Sequence, residues 1–407
     1  MNCRFCGTIT TEVLDLHHQP LSNAFLTEKQ LNCPEVYYPL RVYVCPNCWL
    51  MQVPAAADAH EIFGADYPYF SSQSPSNVSH AKELVEMAMR RFDLTMESQI
   101  IEIGANDGYL LKHFPEGFRV LGVDPVEAAA ALANEEGIPM VTEFFSSDVA
   151  KLLPKADFLC GINVIAHQPD ISDFVRGVRI TLKVDGVAIF EFPHLMKLID
   201  GNQFDTIYHE HFNYFSLTTI RKIFTANGLK IFHVEEIPEH GGSLRIYAMH
   251  RSPACPPTSP AVHVLLARER AAGMGAICYY TTFRARVENV RLDLMSSLYH
   301  ARRMGLSIAA YGAAAKGNTL LNYCGIRPYL IDFVVDRSPY KQGKFLPGSH
   351  IPVVDESVLK DRKPKVVLIL PWNIKEEVMA QLDYIQDWKG QFMVAIPKME
   401  VTFSWTR

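Results

Sequence analysis

The chain has 407 residues, 48% of them hydrophobic and 20% charged, which is the composition of a globular protein with two or three domains, each able to bury a core. A net charge of −5 and a pI near 6.3 exclude the basic surplus of a nucleic-acid or anionic-membrane binder, while leaving room for a local basic pocket for phosphate. No apolar run reaches the roughly 18 residues that cross a bilayer. The opening "MNCRFCG" lacks the apolar stretch of a secretory leader, so the expected location is the cytoplasm, with thiols reduced.

Five of the nine cysteines fall within the first 48 residues. Two CxxC pairs, Cys3/Cys6 and Cys45/Cys48, offer four soft thiolates for a tetrahedral metal, the donor set of structural zinc. Each pair has knuckle chemistry: Gly7 follows the first, and Pro46 and Asn47 sit inside the second. The spacer, residues 7–44, is longer than usual, and Cys33, His17 and His18 compete as ligands; a disulfide or unrelated thiols are the plain alternative. Four thiolates leave no open position for water, so zinc here would staple a small segment rather than catalyse. "DYPYFSS" (66–72) then places Tyr67 and Tyr69 where they could fold over an active site, although packing explains them as well.

From residue 99, "QIIEIGANDGYLLKHF" reads as a buried strand, a glycine turn and a helix. "RVLGVDP" is a second strand ending in Asp124, and "ADFLCGINVIAH" and "GVAIFEFP" are two more, separated by helical stretches. Such alternation predicts a parallel doubly wound sheet, which binds ligands beyond the carboxyl ends of its strands. Those ends carry Glu102 and Gly104, Asp124, Asn163 and His167, and Glu191 and His194. Gly104 lets the backbone approach a ligand, Gly108 lets the following helix pack closely, and Asp124 is placed to accept from ribose hydroxyls. A dinucleotide or S-adenosylmethionine would suit. GxGxxG is absent, and Asn106 and Asp107 make the loop acidic, which favours a sulfonium or amino-acid cation over a pyrophosphate. S-adenosylmethionine is the expected ligand; a tight turn with no ligand is the bland reading.

"IYHEHF" (207–212) sets Tyr208, His209, Glu210 and His211 side by side. HEH has the wrong spacing for the HExxH of zinc hydrolases, since residues i and i+2 share a face only on a strand. Phe204, Phe212, Tyr214 and Phe215 around it predict an apolar pocket that would perturb the His and Glu pKa values, as acid–base work requires; a satisfied polar loop is the alternative. "HGGSLR" (240–245) joins a flexible glycine pair to donors and could shape a pocket wall.

"SPACPPTSP" (252–260) is a proline-rich boundary, followed by a predicted long helix over about 262–304. "LSIAAYGAAAKGNTLLNYCGI" repeats the pattern of strand, small-residue turn and helix, and "YLIDFVVDRSP", "KVVLILPW" and "QFMVAIP" supply later strands of a second α/β sheet. The turn puts backbone amides and Lys316 at a helix N-terminus, where an anion such as a nucleotide diphosphate is stabilised; a plain helix start uses the same residues.

Taken in order, the CxxC pairs, "LSNAF" (21–25), "DYPYFSS", "EIGANDG", "INVIAHQPD", "YHEHF", "HGGSLR" and "YGAAAKGNTLLNY" resemble the S-adenosylmethionine-dependent C-methyltransferases that act on nucleotide-linked 4-keto-deoxysugars, over nearly the whole chain. The resemblance implies an α/β protein with a zinc-binding segment (1–70), a class I methyltransferase (Rossmann-like) core (71–252), and a second Rossmann-like α/β domain (253–407) that helps bind the nucleotide sugar. It implies zinc on Cys3, Cys6, Cys45 and Cys48, and S-adenosylmethionine held by Glu102, Gly104, Asn106, Asp107, Gly108, Asp124 and Asn163. Tyr208, Glu210, His211, His167 and Tyr69 fall on its catalytic positions, while His240, Lys316 and Asn318 are the residues expected to bind the substrate. His209 departs from the acidic residue expected there. The implied reaction methylates C3, or alternatively C5, through an enolate, in a monomer or weak homo-oligomer with no nucleic-acid or membrane partner. The rival readings are an NAD-dependent nucleotide-sugar oxidoreductase or epimerase, which would lack GxGxxG and a YxxxK dyad, and a non-enzymatic zinc-bearing binding module.

Overall fold

The structure, a computed structural model, describes residues 1–64 and 70–402. The chain forms two compact units that alternate along the sequence. One comprises Met1–Thr11, Val44–Met196 and His211–Ile277; the other comprises Glu12–Tyr43, Lys197–Glu210 and Cys278–Arg407.

The first unit is built on seven strands: β1 (Gln99–Ile103), β2 (Arg119–Val123), β3 (Met140–Val141), β4 (Ala156–Ile162), β5 (Leu182–Pro193), β6 (Leu229–Ile237) and β7 (Ser243–His250). They lie in the order β6-β7-β5-β4-β1-β2-β3. The pairs β1–β2, β1–β4, β2–β3 and β4–β5 are parallel, and β7 enters antiparallel between β5 and β6. Its longer helices are α1 (Pro75–Arg91), α2 (Glu127–Glu135), α3 (Ile171–Thr181), α4 (Leu217–Ala226) and α5 (Pro260–Ala271).

The central strands are apolar on both faces because both faces are covered. Alternate residues go to opposite cores: Ile101, Ile103, Leu159 and Phe190 join Phe174 and Val178 of α3, while Ile100, Phe158, Cys160 and Ile189 join Leu84, Val85 and Ala88 of α1. α1 begins where Ser74 accepts the Asn77 N–H at 3.3 Å and Pro75 supplies a preset first turn. The helix expected after the glycine turn is a correction: it is one 3-10 turn, Leu111–His113. Pro115 drives Phe114 into extended backbone (ψ 136) and stops the helix there.

The second unit carries β8 (Ile308–Tyr311), β9 (Val334–Val335), β10 (Val353–Val354), β11 (Val366–Ile369), β12 (Gln391–Val394) and β13 (Glu400–Thr402), in the order β10-β9-β8-β11-β12-β13. All of its pairs are parallel except β12–β13. Its two longest helices among the described residues are α6 (Ile277–Arg303) and α7 (Ala315–Cys324). The single helix expected over 262–304 is thus two, α5 and α6. "AGMGA" separates them, with Gly273 at φ +88, a conformation no helix continues through. Residues of the early segment complete this unit: the Asn318 amide donates to the Ser22 carbonyl at 2.9 Å, and Leu26 bridges Phe345. Among the described residues no helix is long and apolar enough to cross a membrane.

Candidate active site

β1 leads straight into the glycine turn. Gly104 (φ +74) donates its N–H to the Val123 carbonyl at 2.8 Å, and a Cβ there would lie 3.0 Å from Val164. Gly108, also at φ +74, packs against α2 and the turn that follows it: a Cβ would sit 2.5 Å from Ile138 Cδ1 and 3.2 Å from Ala133 Cβ. Asn106 (φ +50) donates its N–H to Asp124 Oδ2 at 2.9 Å, and Asp124 Oδ1 accepts from Val126 N–H at 2.9 Å. Asp124 therefore closes the turn that it was expected to equip, and burial raises its pKa despite these two bonds.

The turn is anchored from outside as well, because Asn106 Oδ1 accepts from Ser71 N–H at 2.8 Å and Asp107 Oδ2 from Ser72 N–H at 3.1 Å. Glu102 is fully buried with neither carboxylate oxygen hydrogen-bonded. Burial, then Asp124 and Asp107, push its pKa well above the carboxylate range. A buried acid with idle oxygens beside two further acids is a fit for a ligand that brings cationic donors, and a poor one for a diphosphate.

Farther along the carboxyl edge, Asn163 (φ +56) donates its N–H to the Glu191 carbonyl at 2.9 Å. Its side-chain amide nitrogen lies 3.0 Å from His240 Nε2. His167 ends a 3-10 turn, Ile165–His167, and its ring meets that of His211 edge-on, centroids 4.8 Å apart at 71°. Phe63 (5.4 Å from His167) and Tyr214 (6.2 Å from His211) supply aromatic walls. Two strand-end residues are spent on structure. Glu191 is buried between Arg245 and His80, and His194 Nε2 is 2.9 Å from Glu269 Oε1, both side chains essentially inaccessible.

The tyrosine–histidine stretch is neither helix nor strand but a turn, so the strand-face argument for HEH does not apply. The chain passes from the second unit to the first between Glu210 and His211. In the second unit Glu210 is buried and its Oε1 accepts from the Asn23 amide at 2.7 Å. His209 is buried edge-on to Tyr38 (5.8 Å), and burial pushes its pKa down to about 4, with carbonyls near Tyr38 and Pro39 opposing; it is a neutral packing residue. Tyr208 is half-buried.

Asp205, three residues earlier, is fully buried, accepts from Trp372 Nε1 at 2.7 Å, and is raised by burial to about 7 against the pull of Lys316 and Trp372. Lys316, in the first turn of α7, reaches Asn373 Oδ1 at 2.6 Å and lies 5.0 Å from the Trp372 ring centre; burial lowers its pKa. Asn318 is buried and engaged with Ser22 and Asn322. Tyr69 and Tyr67 lie outside the described residues. The sequence reading passed over Asn23, His80 and Glu269. Asn23 alone carried a signal, since it sits in the quoted "LSNAF".

The four cysteines of the paired CxxC motifs meet in the first unit, their sulfurs all within 4.8 Å of one another. Cys3 and Cys48 sulfurs are 3.5 Å apart, and Cys6 and Cys45 sulfurs 3.4 Å. Zinc–sulfur bonds of about 2.3 Å in a tetrahedron require sulfurs roughly 3.8 Å apart, so the donors fit zinc with little movement. Each knuckle turns at a positive-φ residue, Gly7 (72) and Trp49 (68), whose N–H groups donate to the carbonyls of Cys3 and Cys45. Cys33, His17 and His18 do not join this cluster.

Comparison with known proteins now decides the class. Three families match in succession: a zinc binding domain over residues 3–63, a methyltransferase domain over 78–234, and a C-methyltransferase C-terminal domain over 238–397. The chain is 34% identical over 405 residues to C-methyltransferase NovU of Streptomyces niveus, covering 98% of this chain and 96% of that one. This protein is an S-adenosylmethionine-dependent C-methyltransferase.

The methyltransferase is also 28% identical, over 105 residues, to the ubiquinone biosynthesis O-methyltransferase of Histophilus somni (strain 2336), covering 23% of this chain and 44% of that one. Among solved structures it is similar to magnesium protoporphyrin IX methyltransferase ChlM of Synechocystis PCC 6803 with bound SAH. That match has a TM-score of 0.35 and 16% identity, and covers 42% of this chain and 83% of the other. The expected class I core, with its seventh strand antiparallel, is the fold of the first unit. S-adenosylmethionine and a structural zinc ion are its cofactors. The oxidoreductase and binding-module readings are set aside by the full-length match to a C-methyltransferase.

Proposed function

We propose that the methyl acceptor is a carbon beside the C4 ketone of a nucleotide-linked 4-keto-deoxysugar, C3 rather than C5. The observation that carries this reading is the His167–His211 ring pair beyond the carboxyl end of β4. S-adenosylmethionine supplies an electrophilic methyl group on a sulfonium. A carbon acceptor meets such a group only as a carbanion equivalent, so a proton must leave first. A neighbouring ketone makes that C–H acidic, and a pair of imidazoles can divide the remaining work. His211 takes the proton, directly or through Tyr208. His167 donates a hydrogen bond to the enolate oxygen, and Glu210, adjacent in sequence to His211 and held by Asn23, orients the stretch. With S-adenosylmethionine bound, its methyl group would pass to that carbon, and the proton held by His211 would return to solvent. Glu102, Gly104, Asn106, Asp107, Gly108, Asp124 and Asn163 hold the cofactor; His240, Lys316 and Asn318 serve the nucleotide sugar, Lys316 through its charge and Asn318 by fixing the start of α7. Tyr69 completes the catalytic set in this reading. A cytoplasmic setting keeps the four thiols reduced for zinc, and the protein works as a monomer or weak homo-oligomer.

The test is incubation with methyl-labelled S-adenosylmethionine and a panel of nucleotide 4-keto-deoxysugars, read by product mass and by solvent deuterium entering the acceptor. Label transfer to carbon and exchange at the same position are expected. A panel that yields neither overturns the substrate assignment.

A further inference from the structure

His80, on α1, is only 14% exposed and has no place in the proton chemistry above. Its Nε2 lies 2.6 Å from Glu191 Oε2 and its Nδ1 lies 3.2 Å from Glu239 Oε1. Carboxylates only accept, so a ring facing one on each side carries both protons and is an imidazolium. Arg245 Nε, 2.6 Å from Glu191 Oε1, is a second cation here. Arg245 also lies 3.3 Å from Glu235, itself 2.7 Å from Arg91, so three acids meet three cations.

The contacts close into a circuit around the cofactor edge of the sheet. The Glu191 carbonyl accepts from Asn163 N–H, the Asn163 amide meets His240 Nε2, and His240 follows Glu239 in the chain. His240, Gly241 and Gly242 have φ values of 55, 88 and 110. Three successive residues in that region, the first with a side chain, need external ties to hold one shape. The Glu239 carbonyl supplies some, accepting from Gly242 N–H at 3.0 Å and Ser243 Oγ at 2.9 Å. His80 ties its carboxylate to β5.

We infer that His80 is a positioning residue for methyl transfer: its imidazolium clamps Glu239 to Glu191 and so sets His240 against Asn163, making cofactor affinity depend on a proton held outside the cofactor site. Burial draws the imidazole down, but Glu191 and Glu239 outweigh it against the opposing Arg245, and its pKa is raised. A raised histidine gives its full contribution below the ordinary value, about 6.5, and loses it as pH climbs through the folded value.

The experiment titrates S-adenosylmethionine calorimetrically into the full-length, zinc-loaded protein at a series of pH values from about 6 to 9, with no acceptor present. Relative to wild type, His80→Gln should bind about tenfold more weakly at the acid end and equally at the alkaline end, the gain from one charge-assisted contact pair being lost. Glu239→Gln, altered at a partly exposed carboxylate, should reproduce that convergence, and the double variant should be no weaker than either alone. A variant weakened equally at every pH, or one that matches wild type throughout, overturns the inference. Melting curves recorded alongside separate misfolding from loss of the clamp; if His80→Gln does not fold, Glu239→Gln decides the matter alone. Since no sugar is used, the outcome is independent of the proposed acceptor.

Discussion

Glu269, on α5, offers a sharp quantitative test of why His194 stands at the end of β5. Its carboxylate is wholly buried and takes four hydrogen bonds: from His194 Nε2 at 2.9 Å, Leu217 N–H at 2.6 Å, Thr218 N–H at 2.9 Å and Thr218 Oγ1 at 2.6 Å. Two of these donors are among the first amides of α4, so an acid from one helix caps the start of another. Burial opposes the charge, yet the bonds from His194 and Thr218 win and hold the carboxyl below its usual range. Its stabilisation is present above the ordinary carboxylate pKa and is lost as pH falls through the lowered folded value.

Glu269→Leu strips an acceptor from four donors, two of them on half-buried Thr218. At about 1–3 kcal/mol for each group left unpaired, with partial relaxation, the loss should be about 4 kcal/mol, in line with breaking a buried pair. For a unit of this size that corresponds to a fall in melting temperature of about 10 °C. Glu269→Gln, which keeps one acceptor oxygen, should lose about half as much. Differential scanning calorimetry measures the shift. Titration of S-adenosylmethionine well below the melting range should find affinity within about twofold of the parent. A melting temperature within about 2 °C of wild type for the leucine variant would refute the capping argument, and a collapse of cofactor affinity in a folded variant would return His194 to the binding site.

Three further outcomes are expected. His211→Asn should abolish methyl transfer and solvent exchange while leaving affinity for a nucleotide sugar within about threefold, measured by calorimetry; retained turnover removes His211 from its role. Cys45→Ser, or extraction of zinc by a chelator, should lower the melting temperature of the first unit and free metal in proportion to the protein unfolded, as a colorimetric zinc assay would read; an unaltered melting curve after complete extraction contradicts a structural ion. Asp205 titrates near 7 when folded and near its ordinary value when unfolded, so its penalty to the second unit grows as pH rises between those values and is constant above. Asp205→Asn should therefore gain stability relative to wild type as pH is raised across that window in urea melts, and a pH-independent difference would show that Asp205 is charged throughout.

What could be read from the sequence was local. "QIIEIGANDG" sets an apolar strand before glycines at 104 and 108, and both positions need positive φ and a missing side chain. CxxC pairs announce their donors by spacing, although the sequence left Cys33 and the histidines in contention until the sulfurs of Cys3, Cys6, Cys45 and Cys48 were found together. Side-chain partnerships across distant chain were illegible. Nothing in "HGGSLR" says that Glu239 beside it reaches His80, and nothing in α5 marks Glu269 as the partner of His194. HEH was silent on surroundings for another reason: the periodicity argument presumes regular backbone, and a turn sends His209 and His211 to different neighbours.

The alternation of the two units along the chain has a consequence for how the protein can be made. The Asn318–Ser22 bond spans 296 positions, and the one between His350 and Glu35 spans 315, both within the second unit. Residues 12–43 leave the ribosome long before their partners exist. A fragment ending at the proline-rich stretch before α5 would strand that early segment with its apolar faces uncovered, and the carboxy-terminal half expressed alone would lack a piece of its own interior. Attempts to dissect this enzyme by truncation should therefore yield aggregates, whereas re-joining residues 12–43 and 197–210 through linkers to residues 278–407 is the cut that respects its architecture.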